Sequence, residues 1–127
     1  MRAKQIQPPV VMIVEDEALL RLHLADQFRE AGCMVLEAAT ADHAMALCHQ
    51  GTAVHILVTD IQLNGGGNGW DVAKAVRALW GNIPVVYTSG NVFDANRAVP
   101  NSWFFDKPYD PDEVVAKCQQ LIASQNQ

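Results

Sequence analysis

Five short apolar runs alternate with stretches of helical periodicity along the chain, and this alternation restricts the fold more than any other feature. Residues 10–14, 34–38, 56–58, 85–88 and 103–105 are long enough for strands and too short for buried helices. Between them, Leu20, Leu24, Phe28 and Ala31 recur at spacings of four, four and three, which is one face of a helix. Ala41, Ala44, Leu47 and Cys48 mark a second helix; Val72, Val76 and Leu79, flanked by Ala73 and Trp80, mark a third. Gly32, Gly51 and Gly81 close these three helices. Pro84 opens the fourth strand, and residues 94–99 have room for a turn or two of an abbreviated fourth helix before Pro100. The last helix begins with Asp110 as N-cap, Pro111 at the first helical position and Glu113 three residues after the cap. Its apolar face is Val114, Cys118, Leu121 and Ile122. Strict strand–helix alternation predicts an α/β chain, a doubly wound five-stranded parallel sheet with helices on both faces and right-handed crossovers.

Residues 1–9, ending in Pro8-Pro9, read as a flexible lead-in, 10–124 as one domain and 125–127 as a polar tail. The domain is large enough to bury a core without disulfides or structural metal. Half the residues are apolar and 18% are charged, which is globular rather than disordered composition. No apolar run approaches a membrane span and no signal-peptide pattern opens the chain, so a cytoplasmic location without membrane insertion is expected. Cys33, Cys48 and Cys118 lie within apolar patterns without CxxC spacing and read as reduced core thiols. The net charge of −5 argues against nucleic acid as a direct partner, because phosphate backbones need a basic face. Arg2 and Lys4 form the one basic cluster, read as a solvated tail.

In such sheets ligands bind outside the carboxyl ends of the strands. Glu15 and Asp16 follow the first strand, Asp60 closes the third, Ser89 follows the fourth, and Lys107 follows the fifth. That rule gathers three carboxylates, a hydroxyl and an ammonium in one crevice. The carboxylates repel one another, and a hard divalent cation relieves the repulsion. Magnesium suits the set, because it takes one or two carboxylates, keeps waters and completes its shell with phosphate oxygens. With Lys107 as a second positive charge, a phosphoryl group is the natural guest. No phosphate-cradling P-loop motif is present, which argues against a nucleotide hydrolase. A carboxylate can itself be the nucleophile and form an acyl phosphate, and Asp60, ending the central strand, is best placed for it. His23, His43 and His49 fall within helical segments and His55 at the far end of the Asp60 strand, so exposed or capping roles are expected.

Four motifs in order, Val14-Glu15-Asp16, Thr59-Asp60-Ile61, Pro84-Val-Val-Tyr-Thr-Ser-Gly90 and Lys107-Pro108-Tyr109, make nearly the whole chain resemble a stand-alone response regulator receiver domain of the chemotaxis-regulator kind. The resemblance implies a flavodoxin-like sheet of order 2-1-3-4-5. It implies Asp60 as phospho-acceptor, supplied by a histidine kinase or a histidine phosphotransfer protein. Mg2+ would be held by Asp16 directly, by Asp60 and the backbone carbonyl of Gln62, and by Glu15 largely through water. Ser89 would bond a phosphoryl oxygen, Lys107 would pair with the phosphoryl group, and the Lys107–Pro108 bond would be cis. Output would come from binding a downstream protein, so the chain is expected to be a signalling domain and not an enzyme. Ser89 and Phe104 would form the switch, the aromatic ring moving as the hydroxyl shifts. Phe104 stands where the family often has tyrosine, and without a hydroxyl to desolvate its inward position is easier to reach before phosphorylation.

Two further departures are visible. Asn64 stands where the family often has proline, ahead of a long loop through Gly65, Gly66 and Gly67, and the short 89–107 segment abbreviates the fourth-helix surface used for dimerisation in many DNA-binding relatives. Two other functions compete. A degenerate receiver binding partners without phosphate would have lost the acids, serine or lysine, and none is lost. An aspartyl-phosphate phosphohydrolase usually carries a second acid two residues after its nucleophile, where Gln62 stands. A flavin module is disfavoured because Glu15-Asp16-Glu17 would repel the cofactor phosphate.

Overall fold

In the computed structural model, residues 7–91 and 93–125 are described. The strands are β1 Val10–Val14, β2 Met34–Ala38, β3 Ile56–Asp60, β4 Val85–Ser89 and β5 Ser102–Asp106. The helices among the described residues are α1 Ala18–Glu30, α2 Ala41–Cys48, α3 Gly69–Trp80 and α4 Pro111–Gln125. All strand pairings are parallel, in the expected order β2-β1-β3-β4-β5.

The continuous apolar runs of β1, β3 and β4 follow from burial on both faces. Met12, Val14, Leu57, Val85 and Tyr87 face a core shared with α2 and α3. Val11, Ile13, Ile56, Val58 and Val86 face the opposite core, closed by Leu24 and Phe28 of α1 and by Val114, Cys118 and Leu121 of α4. Each fully buried aliphatic side chain contributes roughly 1.5–3 kcal/mol, so the sheet's centre carries most of the stability. Cys33, Cys48 and Cys118 are buried free thiols in these cores. Arg77 ties α3 to the strands beyond it, donating from Nε to the Ile83 carbonyl and from a terminal nitrogen to the Asn101 carbonyl, both at 2.8 Å.

The expected helix ends hold with small shifts. Asp110 Oδ1 accepts from the Asp112 amide at 2.9 Å, and its carbonyl accepts from Val114 at 3.3 Å, as an N-cap should. α4 runs through Gln125, one residue into the expected tail, while residues 126–127 and 1–6, including Arg2 and Lys4, lie outside the described residues. Two expectations are corrected. Leu79 is 50% exposed, because Trp70, Val72, Ala73 and Val76 bury the face of α3 and Trp80 covers its last turn. The abbreviated fourth helix is a turn instead: Asp94 accepts from Asn96 through Oδ1 at 3.0 Å and from Arg97 through its carbonyl at 3.1 Å, and no helix propagates to Pro100. An aspartate that bonds the backbone two residues on competes with helix formation. The turn is anchored to the sheet by the buried Tyr87 hydroxyl, which accepts from the Val99 amide at 3.2 Å. No described helix is long and apolar enough to cross a membrane.

Candidate functional site

The parallel register brings the four polar strand ends to one edge. The Glu15 amide donates to the Ala38 carbonyl at 3.0 Å, Ile61 to Thr88 at 2.9 Å and Lys107 to Ser89 at 2.9 Å, so β1, β3, β4 and β5 release their next residues side by side. Beyond Asp60 the chain doubles back. Gly69 donates to the Ile61 carbonyl at 2.8 Å, and a Cβ on Gly69 would overlap the Asp60 carbonyl oxygen. Only glycine lets α3 start this close to the acid.

Glu15 and Asp60 are nearly inaccessible, at 2% and 6% exposure. Lys107 Nζ bridges them, 2.7 Å from Glu15 Oε1 and 2.8 Å from Asp60 Oδ2. Backbone amides hold the other oxygens: Glu17 donates to Glu15 Oε2 at 3.0 Å, and Gln62 to Asp60 Oδ1 at 3.2 Å. Asp16, half-buried, accepts from the Asn64 amide through Oδ2 at 3.1 Å. Ser89 is buried, and its Oγ accepts from the Asn91 amide at 3.0 Å.

Burial pushes Glu15 above its ordinary value, helped by the Asp60 charge and opposed by Lys107 and the Glu17 amide. Burial works against the Lys107 charge, but the hydrogen bonds to Asp60 and Glu15 outweigh it and raise Lys107. The lysine therefore stays charged, and Glu15 is the strained partner. Tyr109 is raised as well, by burial and by the nearby acids.

The donor set fits a hard cation. Glu15, Asp16 and Asp60 can each offer an oxygen within 4.8 Å of the others, close to the roughly 4 Å between opposite ligands around magnesium. The three carboxylates share the single Lys107 ammonium, which reaches Glu15 Oε1 at 2.7 Å and Asp60 Oδ2 at 2.8 Å and leaves Asp16 without a cationic partner among the described residues. Acids grouped this closely are costly to keep ionised unless a further cation offsets them.

Residues 11–119 match the response regulator receiver domain. The chain belongs to that family. Receivers are signalling modules, and this one is a signalling domain rather than an enzyme. It is similar to a response regulator receiver protein from Sinorhizobium medicae WSM419, with 28% identity over 92% of this chain and 96% of that one and a TM-score of 0.86. The receiver domain of the hybrid histidine kinase CckA is also 28% identical, covering 89% of this chain and 98% of its own, with a TM-score of 0.77. The chemotaxis response regulator CheY4 of Vibrio cholerae, at 21% identity over 91% and 99% with a TM-score of 0.79, shares the fold. No curated protein sequence matches the chain.

In this receiver the edge unites Glu15, Asp16, Asp60 and Lys107, with Ser89 on the adjoining strand end. Gln62 is exposed and adjoins Asp60 through its amide, and Phe104 lies half-buried in the middle of β5, paired in register with Tyr87. The Lys107–Pro108 bond is cis. His23, His43, His49 and His55 are all exposed, and His55 Nδ1 accepts from the Val10 amide at the far end of the sheet.

Sequence reasoning missed two participants. Phe93 stacks on Phe104 with ring centroids 4.7 Å apart and also meets Trp70 and Tyr87. A lone aromatic in a loop carries no periodic signal. The Asn64 amide on Asp16 was equally hidden, since a backbone donor has no residue type.

Proposed function

We propose that this receiver accepts a phosphoryl group on Asp60 from the phosphohistidine of a kinase or histidine phosphotransfer protein, and acts by binding a downstream protein. The observation that carries the reading is the Asp60 carboxylate, held at 2.8 Å by Lys107 and grouped with Glu15 and Asp16 at the carboxyl edge of the central strand. An Asp60 oxygen attacks phosphorus, the P–N bond to the donor imidazole breaks, a P–O bond forms, and the imidazole leaves with the electron pair and takes up a proton.

The chain's own residues prepare this transfer. Lys107 presents a fixed positive charge to the incoming phosphoryl oxygens, and the Gln62 amide orients the Asp60 carboxylate. Ser89 is one strand away, able to exchange its Asn91 partner for a phosphoryl oxygen. Asp16, Glu15, Asp60 and the Gln62 carbonyl would hold Mg2+, which offsets charge building on the transferring group. Glu15, Asp16 and Asp60 set against the one Lys107 ammonium would, without the cation, leave an excess of negative charge that repels a phosphoryl donor.

Intact mass after incubation with acetyl phosphate and magnesium tests the reading. The wild-type chain gains one phosphoryl mass, labile to base, and Asp60→Asn gains none. Equal labelling of Asp60→Asn would move the acceptor elsewhere.

A further inference from the structure

Three acids line the site, and they are not held alike. Glu15 and Asp60 share Lys107 and each accept a neighbouring backbone amide. Asp16 has no cationic partner among the described residues, and the Asn64 amide, 48 residues on, is its one donor there. The segment supplying that donor is a closed loop. Gln62 and Asn68 pair as an antiparallel bridge at its base, and the Asn68 side chain caps α3 by accepting from Asp71 at 3.0 Å. Gly65 and Gly66 turn its tip at φ of 91° and 96°. Gly67 then packs so closely on Ala41, the first residue of α2, that a Cβ there would overlap the alanine side chain. The loop is thus pinned at its base, pressed on α2, and aimed with one N–H at Asp16.

We propose that the Asn64 N–H positions Asp16 for the cation, making the glycine loop a tether whose seating is coupled to the site's occupancy. The inference rests on the cation-dependent function proposed above. A carboxylate oxygen that accepts one amide keeps a free lone pair, and Oδ1 stays wholly available, so the bond orients Asp16 without using it up. Orientation made beforehand is entropy not lost on binding. The coupling is reciprocal: whatever holds Asp16 in that orientation also holds the loop against α2. The N–H is what matters, and proline alone among residues lacks it. The loop and the start of α2 then form a surface that differs between the empty and the loaded receiver.

Calorimetric titration with Mg2+ alone tests this on the full chain. Asn64→Pro removes the donor, and its affinity is expected to fall about tenfold, equivalent to about 1.4 kcal/mol. Asn64→Ala keeps the N–H and is expected to bind as the wild type does. Gly67→Ala lifts the loop from Ala41 without touching Asn64 and is expected to weaken binding likewise, which serves if the proline variant does not fold. In the wild type, exchange of the Asn64 amide is expected to slow when Mg2+ is added. Wild-type affinity in both Asn64→Pro and Gly67→Ala, or equal weakening in Asn64→Ala and Asn64→Pro, overturns the positioning role while leaving the proposed function intact. A wild-type chain that binds no Mg2+ overturns both.

Discussion

Lys107 Nζ sits between Glu15 Oε1 and Asp60 Oδ2, at 2.7 and 2.8 Å, so a single ammonium holds together two acids from different strand ends. Lys107→Met leaves both carboxylates buried without a counter-charge. Lys107 is 20% exposed, so the loss falls below that of a fully buried pair, at about 1–3 kcal/mol in metal-free buffer. Urea unfolding with and without Mg2+ measures it. A cation restores part of the loss; equal stability of variant and wild type without metal would contradict the bridge.

Glu15 gives the site a pH dependence with a definite sign. Its folded-state pKa lies above the ordinary value of 4.5, mainly through burial. The folded state therefore holds its proton longer than the unfolded chain. This group's contribution to stability is present below about 4.5 and is lost as pH rises through the raised folded value. Lys107, raised above 10.5, stays charged across that window and does not offset the loss. In metal-free buffer, Glu15→Gln is expected to gain stability relative to wild type between pH 4 and pH 8. Parallel stability curves for the two proteins would refute the assignment.

Magnesium should act on the same strain. A ligand that binds only the folded state at 100 times its Kd adds about 2.7 kcal/mol, enough to raise the Tm by several degrees. Asp16→Ala removes one of the three grouped acids and is expected to abolish most of that rise and to slow labelling by acetyl phosphate. A thermal melt of each protein with and without Mg2+ decides it; an undiminished rise in the variant removes Asp16 from the cation site.

Phe104 packs against the core beside Phe93, with ring centroids 4.7 Å apart. Its ring is expected to keep this place when beryllofluoride is added, leaving the turn after Ser89 to carry the signal. Phe93→Ala removes the stacking partner, costing about 1 kcal/mol beyond lost burial, and should let the Phe104 ring move. Ring resonances followed by NMR report both. A wild-type ring that swings from solvent to core on beryllofluoride addition would make Phe104 an ordinary two-position switch.

Local pattern alone settled much of this receiver. The runs at 10–14 and 56–58 are apolar at every position, which is the requirement of strands buried on both faces, and the periodic segments between them imposed parallel pairing. Once pairing is parallel, Glu15, Asp16, Asp60, Ser89 and Lys107 must leave the sheet at one edge, because each follows or ends a strand at its carboxyl terminus. Their gathering was legible for that reason. Tertiary structure decided what no local pattern encodes. Whether 94–99 becomes helix or turn depended on Asp94 bonding Asn96 and on Tyr87 reaching Val99 from β4. Leu79 has the spacing of a buried residue but lies where Trp80 already closes the core. The unequal holding of the three acids, Lys107 on two of them and the Asn64 amide on the third, arises from contacts 47, 92 and 48 residues apart in the chain. Periodicity sets which face a side chain turns to; which backbone donor it meets there is set by how loops pack.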